Sequence, residues 1–315
     1  MRILFIKPSS LGDIVHGLQL AESLRHDFPG ISISWVVREM FAPLVSCCDT
    51  VDEVLIFNRK GGVSAFLRLC HEVRVKKFDW VIDLQGLFRS GLLTGVARGE
   101  RKVGRSDARE FSSLFYNERS ELPTNGKGAH ALDILLQFRR LFGLKPVLKG
   151  HLSFESSLPN NFPKDKNLSS PFLFFPESRR AEKQWPFFLE LTTALLEAKP
   201  ESQVVWAGSS KIPIPPKYSS VRFLNLSGMT SLESLPKMLT SAELIVANDS
   251  GPMHLAVAMG CPVLALFGPT DPARYGPYPI PDKTSKVLQA PMGDLSNLSV
   301  EQVLECLLNL ASSDK

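Results

Sequence analysis

Three loops in this sequence gather the residue types that acid–base and phosphate chemistry need. The first is Lys7-Pro-Ser-Ser-Leu-Gly-Asp-Ile-Val-His16, between an apolar strand-like run and a helical pattern. Gly12 permits a tight turn, and Asp13 stands where a helix N-cap belongs. A carboxylate there serves as a cap, as a general base, or as both, because donors at a helix start keep it ionised at neutral pH. The second is Pro176-Glu-Ser-Arg-Arg-Ala-Glu-Lys-Gln-Trp-Pro186. Its Ser178, Arg179, Arg180 and Lys183 precede a helix whose start is marked by Pro186. A hydroxyl, guanidinium groups and an ammonium beside a helix N-terminus are what a diphosphate needs, and a solvated charged loop is the plainer alternative. The third is Asn248-Asp-Ser-Gly-Pro-Met-His254. Asp249 or Ser250 can cap, Gly251 lets a ligand approach the backbone, and Pro252 suits the first helical turn. Free N–H groups there favour an anion, toward which His254 either donates or merely packs. Phe267-Gly-Pro-Thr-Asp-Pro272 adds a glycine and a threonine to the same rim.

The signatures of other chemistries are missing. The chain has no Gly-x-Gly-x-x-Gly after a strand, no Walker phosphate loop, no Gly-x-Ser-x-Gly and no His-Glu-x-x-His. It also lacks any Asp-x-Asp, so a carboxylate pair holding a divalent ion on a diphosphate is not encoded locally, and neither a metal nor a cofactor is expected.

The elements that must position these loops alternate between strand and helix. Arg2–Lys7, Ile31–Val37, Glu53–Phe57 and Asp79–Leu84 read as strands, with helices over Asp13–Phe28, Val63–Lys77 and Leu87–Ala97. Residues 158–171, polar and rich in Pro and Asn, read as a linker. Strands then resume at Phe172–Phe175, Gln203–Trp206, Arg222–Leu226, Leu244–Ala247 and Val263–Phe267. Helices fit Pro186–Ala198, Leu232–Thr240, Gly251–Met259 and Val300–Leu310. This is the pattern of an α/β protein with two doubly wound parallel sheets around a cleft, in which ligands sit at the carboxyl ends of strands.

A length of 315 residues, with 44% hydrophobic and 22% charged, also fits two globular domains and excludes a disordered or fibrous chain. The net charge of +4 is unevenly placed. Residues 1–150 carry 22 Lys and Arg against 16 Asp and Glu, a net of +6, and the remainder carries 14 against 16, a net of −2. Two halves meeting different partners would produce that split, as would chance. Five cysteines without a Cys-x-x-Cys spacing argue against a disulfide framework or a thiolate zinc site. The start does not read as a signal peptide, so none is expected, and no apolar run approaches the roughly 20 residues of a spanning helix. A cytoplasmic protein is expected, holding a membrane surface at most peripherally.

Read together, these segments resemble glycosyltransferase family 9, the ADP-heptose:lipopolysaccharide heptosyltransferases. K-P-S-S-L-G-D-I-V-H, S-R-R-A-E-K-Q-W-P, N-D-S-G-P-M-H and F-G-P-T-D-P carry the resemblance, from Met1 to about Pro279. Asp83–Ser90 and Ala108–Asn117 look closest to the heptosyltransferase I subgroup, which adds the first heptose to the Kdo region of the inner core. The resemblance implies a GT-B fold of two Rossmann-like domains: residues 1–158 for the acceptor, 171–298 for the nucleotide sugar, and a helix over 299–315 returning toward the first domain. It implies inverting, metal-independent transfer with Asp13 as base. Donor contacts fall to Ser178, Arg180, Lys183, Ala207, Gly208, Asp249, Ser250, Gly251, Pro252 and His254. Acceptor contacts fall to Lys7, Ser10, Gly12, Arg59, Lys60, Gln85, Arg105, Arg109 and Arg119, a basic set suited to an anionic glycolipid. One departure stands out: the family often places a Glu near the donor ribose after the strand equivalent to Gln203–Trp206, and Ala207–Pro216 has no acidic residue.

Rival readings are a GT-B nucleotide-sugar 2-epimerase, a family 9 transferase with another nucleotide sugar, and a non-catalytic nucleotide-sugar or nucleic-acid binding module. The four Tyr and four Trp are scattered rather than interleaved with basic residues, so no nucleic acid partner is expected.

Overall fold

The computed structural model describes residues 1–163, 170–218, 220–279 and 284–312. The chain divides into two units, Met1–Glu155 and Ser156–Lys315. Of the linker expected over 158–171, residues 164–169 lie outside the described residues.

The first unit runs β1 (Arg2–Ile6), α1 (Leu11–Asp27), β2 (Ser32–Arg38), α2 (Ala42–Ser46), β3 (Glu53–Phe57), α3 (Gly62–Val75), β4 (Lys77–Asp83), α4 (Phe88–Val96), β5 (Arg98–Arg105), β6 (Glu118–Ser120) and α5 (Ala131–Leu136). All six strands are parallel, in the order β3-β2-β1-β4-β5-β6. Ile3, Leu4, Phe5 and Ile6 are wholly buried, as the central strand of a sheet covered on both faces must be. Successive strands build outward one way from β1 and then, after β3, the other way from β4. Between β1 and β4 the connections diverge, which leaves a crevice at the strands' carboxyl ends. Strands β5 and β6 were not foreseen. β5, Arg-Gly-Glu-Arg-Lys-Val-Gly-Arg, has no apolar alternation; it is held by the β4 ladder and by Arg101, whose guanidinium stacks 3.9 Å over the Trp80 ring and pairs with Glu118.

The second unit runs β7 (Phe172–Phe175), α6 (Phe188–Ala198), β8 (Val204–Trp206), β9 (Phe223–Asn225), α7 (Leu235–Thr240), β10 (Leu244–Asn248), α8 (Gly251–Ala258), β11 (Val263–Phe267), α9 (Pro272–Tyr275), β12 (Ser285–Gln289) and α10 (Val300–Ser312). Its order β9-β8-β7-β10-β11-β12 repeats that of the first unit, with the switch point between β7 and β10. The strands β7, β10 and β11 are buried along their length. The edge strand β12 was not foreseen. Helix α10 seats Val303, Cys306, Leu307 and Leu310 in the same core as Leu191 and Leu195 of α6, so its apolar stripe serves the second unit's own core. Among the described residues no helix is long and apolar enough to cross a membrane.

Candidate active site

In the first unit the polar groups gather at the switch point. Lys7 directly follows β1 and is 4% exposed, an ammonium almost wholly enclosed. Ser10, with extended backbone, occupies the N-cap of α1, and Asp13 is the third helical residue rather than the cap expected from sequence. The Ser10 N–H and hydroxyl both donate to Asp13 Oδ2, at 3.0 and 2.7 Å. Lys7 Nζ stands 3.7 Å from Oδ1 of the same carboxylate, whose side chain remains 49% exposed. Burial pushes the Asp13 pKa up, but the Lys7 charge, the two Ser10 hydrogen bonds and nearby His16 reverse this and bring it to about 2. Burial likewise pulls the Lys7 ammonium below the usual lysine range, with Arg105 adding to the pull and Asp13 and Asp83 opposing it. Gly12 is the second residue of the helix and half-buried.

Asp83, at the end of β4, is a residue to which sequence reasoning assigned no role. It is wholly buried. Oδ1 accepts the Gln85 and Gly86 N–H groups at 2.8 and 3.0 Å, and Oδ2 accepts the Tyr116 hydroxyl at 2.6 Å. Burial holds its carboxyl above the ordinary range despite these donors. Tyr116 lies flat on β5, where a Cβ on Gly104 would be 2.0 Å from its ring, so only glycine fits there. Arg105, at the end of β5, makes a two-pronged pair with Asp107 at 2.8 Å on each arm, and is electrostatically coupled to Asp13 and Asp83. Gln85 is partly buried, with its amide oxygen enclosed and without a hydrogen-bond partner among the described residues. The carboxyl ends of β1, β4 and β5 therefore bring Lys7, Ser10, Asp13, Gln85 and Arg105 to one region. The other expected acceptor residues are more peripheral. Arg109 sends its backbone N–H to Gly86 O and leaves its side chain exposed, Arg59 and Lys60 are exposed before α3, and Arg119 is an exposed residue of β6.

In the second unit the organising residue is Asp249, 7% exposed, just after β10. Lys183 Nζ donates to its Oδ2 at 2.5 Å and Thr270 Oγ1 to the same oxygen at 2.7 Å, while His254 Nε2 stands 3.9 Å from Oδ1. The cations of the 176–186 loop precede α6 in sequence, although the resemblance groups Lys183 with Asp249, Ser250 and Gly251. The sheet order sets β7 beside β10, so Lys183 reaches the start of α8. Ser250 is the N-cap of α8, Gly251 and Pro252 open its first turn, and Ser250 Oγ is buried without a partner among the described residues. The N–H groups of that first turn lack intrahelical partners, and backbone donors so placed favour an anion. Buried Asn248 fastens the two loops together: its Oδ1 accepts the Trp185 N–H at 3.0 Å and its amide donates to Pro176 O at 2.9 Å. Ser178 is buried, with its carbonyl accepting from Gln184 at 2.6 Å. Arg180 is exposed and turns to Glu182 of its own loop, away from the Asp249 cluster.

Ala207 and Gly208 follow β8; the Ala207 N–H donates to Phe174 O at 2.9 Å, and the Gly208 N–H to Thr230 at 3.3 Å. An acidic residue from another loop meets this run. Glu177, two residues beyond the end of β7, accepts the Ser209 and Ser210 N–H groups at 2.8 and 3.1 Å and the Ser210 hydroxyl at 2.6 Å. Those donors outweigh burial and hold its carboxyl below the usual range. No local spacing signals a contact made across 32 residues. Among the described residues no three His, Cys, Asp or Glu are grouped to hold a metal ion.

Two sheets of the same strand order, each with its polar cluster at the switch point, define the GT-B architecture of two Rossmann-like domains. The family model of glycosyltransferase family 9 (heptosyltransferase) matches residues 66–307. Lipopolysaccharide heptosyltransferase 1 of Escherichia coli (strain K12) is 30% identical over 98% of this chain and 100% of its own length. The solved structure of E. coli heptosyltransferase WaaC with ADP superposes with a TM-score of 0.78 at 28% identity, covering 98% of this chain and 100% of that one. WaaC with ADP-2-deoxy-2-fluoro heptose gives a TM-score of 0.78 at 26% identity, covering 98% and 99%. This chain belongs to glycosyltransferase family 9, the heptosyltransferases.

Proposed function

We propose that this protein transfers a heptose from ADP-heptose to the Kdo region of the lipopolysaccharide inner core, with inversion and without a metal, at the cytoplasmic face of the inner membrane. The observation that carries the reading is the state of Asp13 in a chain matched end to end by a lipopolysaccharide heptosyltransferase: ionised, fixed by Ser10, and half open to solvent. Oδ2 is saturated by two Ser10 donors, so Oδ1 is the oxygen that takes the acceptor proton. The acceptor oxygen attacks the anomeric carbon and the bond to the diphosphate breaks, its electron pair leaving with ADP. With a pKa of about 2, Asp13 is a weak base, and its proton transfer runs late, when the attacking oxygen already carries positive charge. Lys183, Ser250 and the first turn of α8 take up the charge growing on the departing diphosphate. Glu177 supplies the carboxylate for the ribose hydroxyls that the 207–216 run itself lacks. Arg105, Gln85 and the exposed Arg59, Lys60, Arg109 and Arg119 serve the anionic acceptor.

The test is transfer from ADP-heptose to a Kdo-bearing acceptor, followed as ADP release and as the anomeric configuration of the product. Asp13→Asn should lower kcat by about 10²–10⁴ with the fold intact, and Lys183→Ala should raise KM for the donor. Full transfer by the Asp13→Asn protein would remove it from the base role. Stabilisation against heat by a uridine sugar in preference to ADP-heptose would overturn the donor assignment, and sugar turnover without acceptor would favour an epimerase.

A further inference from the structure

The carboxyl edge of the first sheet carries exposed apolar side chains to which the transfer chemistry gives no role. Phe111 is 78% and Leu114 77% exposed, and Phe88, the first residue of α4, is 48% exposed. They are set on firm ground. Ser112 between them is wholly buried, and it lies so close to α4 that a Cβ on Gly91 would be 2.8 Å from it. Phe88 meets Phe115 edge-on with ring centroids 6.0 Å apart, and its N–H donates to Glu110 Oε2 at 3.1 Å. Glu110 and Phe111 both have left-handed backbone, with φ of 55° and 59°. A bulky aromatic is disfavoured there, so the fold accepts strain to keep this ring facing outward.

The apolar groups sit among cations. Arg89 follows Phe88 and Arg109 precedes Glu110, both exposed. Helix α3 packs beside α4 with its start at the same edge, and there Val63 and Leu67 are exposed after Arg59 and Lys60. Apolar side chains ringed by Arg and Lys complement an anionic bilayer, whose acyl boundary takes the first and whose phosphates take the second. We propose that this rim docks the protein on an anionic lipid surface, with Phe88, Phe111 and Leu114 entering the acyl boundary and Arg89 and Arg109 lying among the headgroups. The inference rests on the membrane-face placement in the proposed function, to which it adds the apolar residues that enter the bilayer, and it shares Arg109 with the acceptor site.

The full chain is tested for co-sedimentation with phosphatidylglycerol–phosphatidylethanolamine vesicles and with phosphatidylcholine vesicles. Wild type should bind the anionic vesicles, and binding should fall as salt rises. The Phe111→Ser, Leu114→Ser double variant should bind at least about tenfold less while transferring heptose to a deacylated, water-soluble acceptor at the wild-type rate. Phe111→Trp should keep binding, with fluorescence of the introduced indole moving to the blue on vesicles. Absence of wild-type binding, equal binding by the Ser double variant, or an unshifted indole spectrum from the Phe111→Trp protein overturns the proposal. Vesicle binding without transfer to the soluble acceptor would instead count against the proposed reaction and leave the docking surface standing.

Discussion

Replacing Tyr116 with Phe removes one hydroxyl from the buried contact that shapes the loop after β4. That hydroxyl donates to Asp83 Oδ2 at 2.6 Å, and the other carboxylate oxygen is served by Gln85 and Gly86. The ring is fixed independently against the Gly104 backbone, so phenylalanine keeps the packing. A buried polar group left without its partner costs roughly 1–3 kcal/mol, and Asp83 with 0% exposure has no water to replace the hydroxyl, so the first unit should lose about 2 kcal/mol. The pH dependence follows from the sign of the Asp83 shift. Its folded pKa lies above the ordinary value, so the contribution is most favourable below the unfolded pKa and is lost as pH rises toward the folded one. Deleting the donor raises the folded pKa further and widens that window, making the variant's cost larger at about pH 8 than at about pH 4. Hydrogen exchange read by mass spectrometry over β4 and β5 reports opening of the first unit without treating the two-unit chain as two-state. Unchanged protection, or an equal loss at both pH values, would refute an ionised Asp83 held by Tyr116.

Lys7→Met should raise the melting temperature while lowering transfer. Burial depresses the Lys7 pKa in the fold, so its protonation costs stability at every pH below the ordinary lysine value, and an apolar chain of similar length removes that cost. Asp13 then loses a cation 3.7 Å away, an interaction of about 1 kcal/mol at the dielectric of water, and its pKa climbs from about 2 toward the ordinary range; calorimetry showing a lower melting temperature would contradict this. Asn248→Ala should cost the second unit about 3 kcal/mol by orphaning the buried Trp185 N–H and Pro176 carbonyl. Because those groups join the 176–186 loop to the start of α8, KM for the donor should rise more than kcat falls, in steady-state kinetics with varied ADP-heptose.

The α/β alternation was legible because the central strands are buried on both faces and read as unbroken apolar runs; Phe172–Phe175 is one such run. β5 and β6 were not, because their pairing is held by the neighbouring ladder and by the contacts of Arg101, none of which leaves a periodic trace. In the site, Asp13, Lys183 and Asp249 stood in loops whose glycines and helix starts announced them. Asp83, Tyr116 and Glu177 were silent, since a buried carboxylate at a strand end looks like any other until the sheet order brings its donors from 33 residues away. The same order brings Lys183 to the start of α8, beside Asp249.

Asp13 holds the start of α1 by accepting from Ser10 with the carboxylate that receives the proton. Each turnover therefore removes, for as long as the proton stays, the negative charge that favours this helix start, while Oδ2 keeps its Ser10 donors. Asparagine at this position could keep the Ser10 hydrogen bonds but would give up the charge and slow transfer. Selection for a sturdier protein and selection for a working one act here on a single side chain, and both keep the carboxylate ionised.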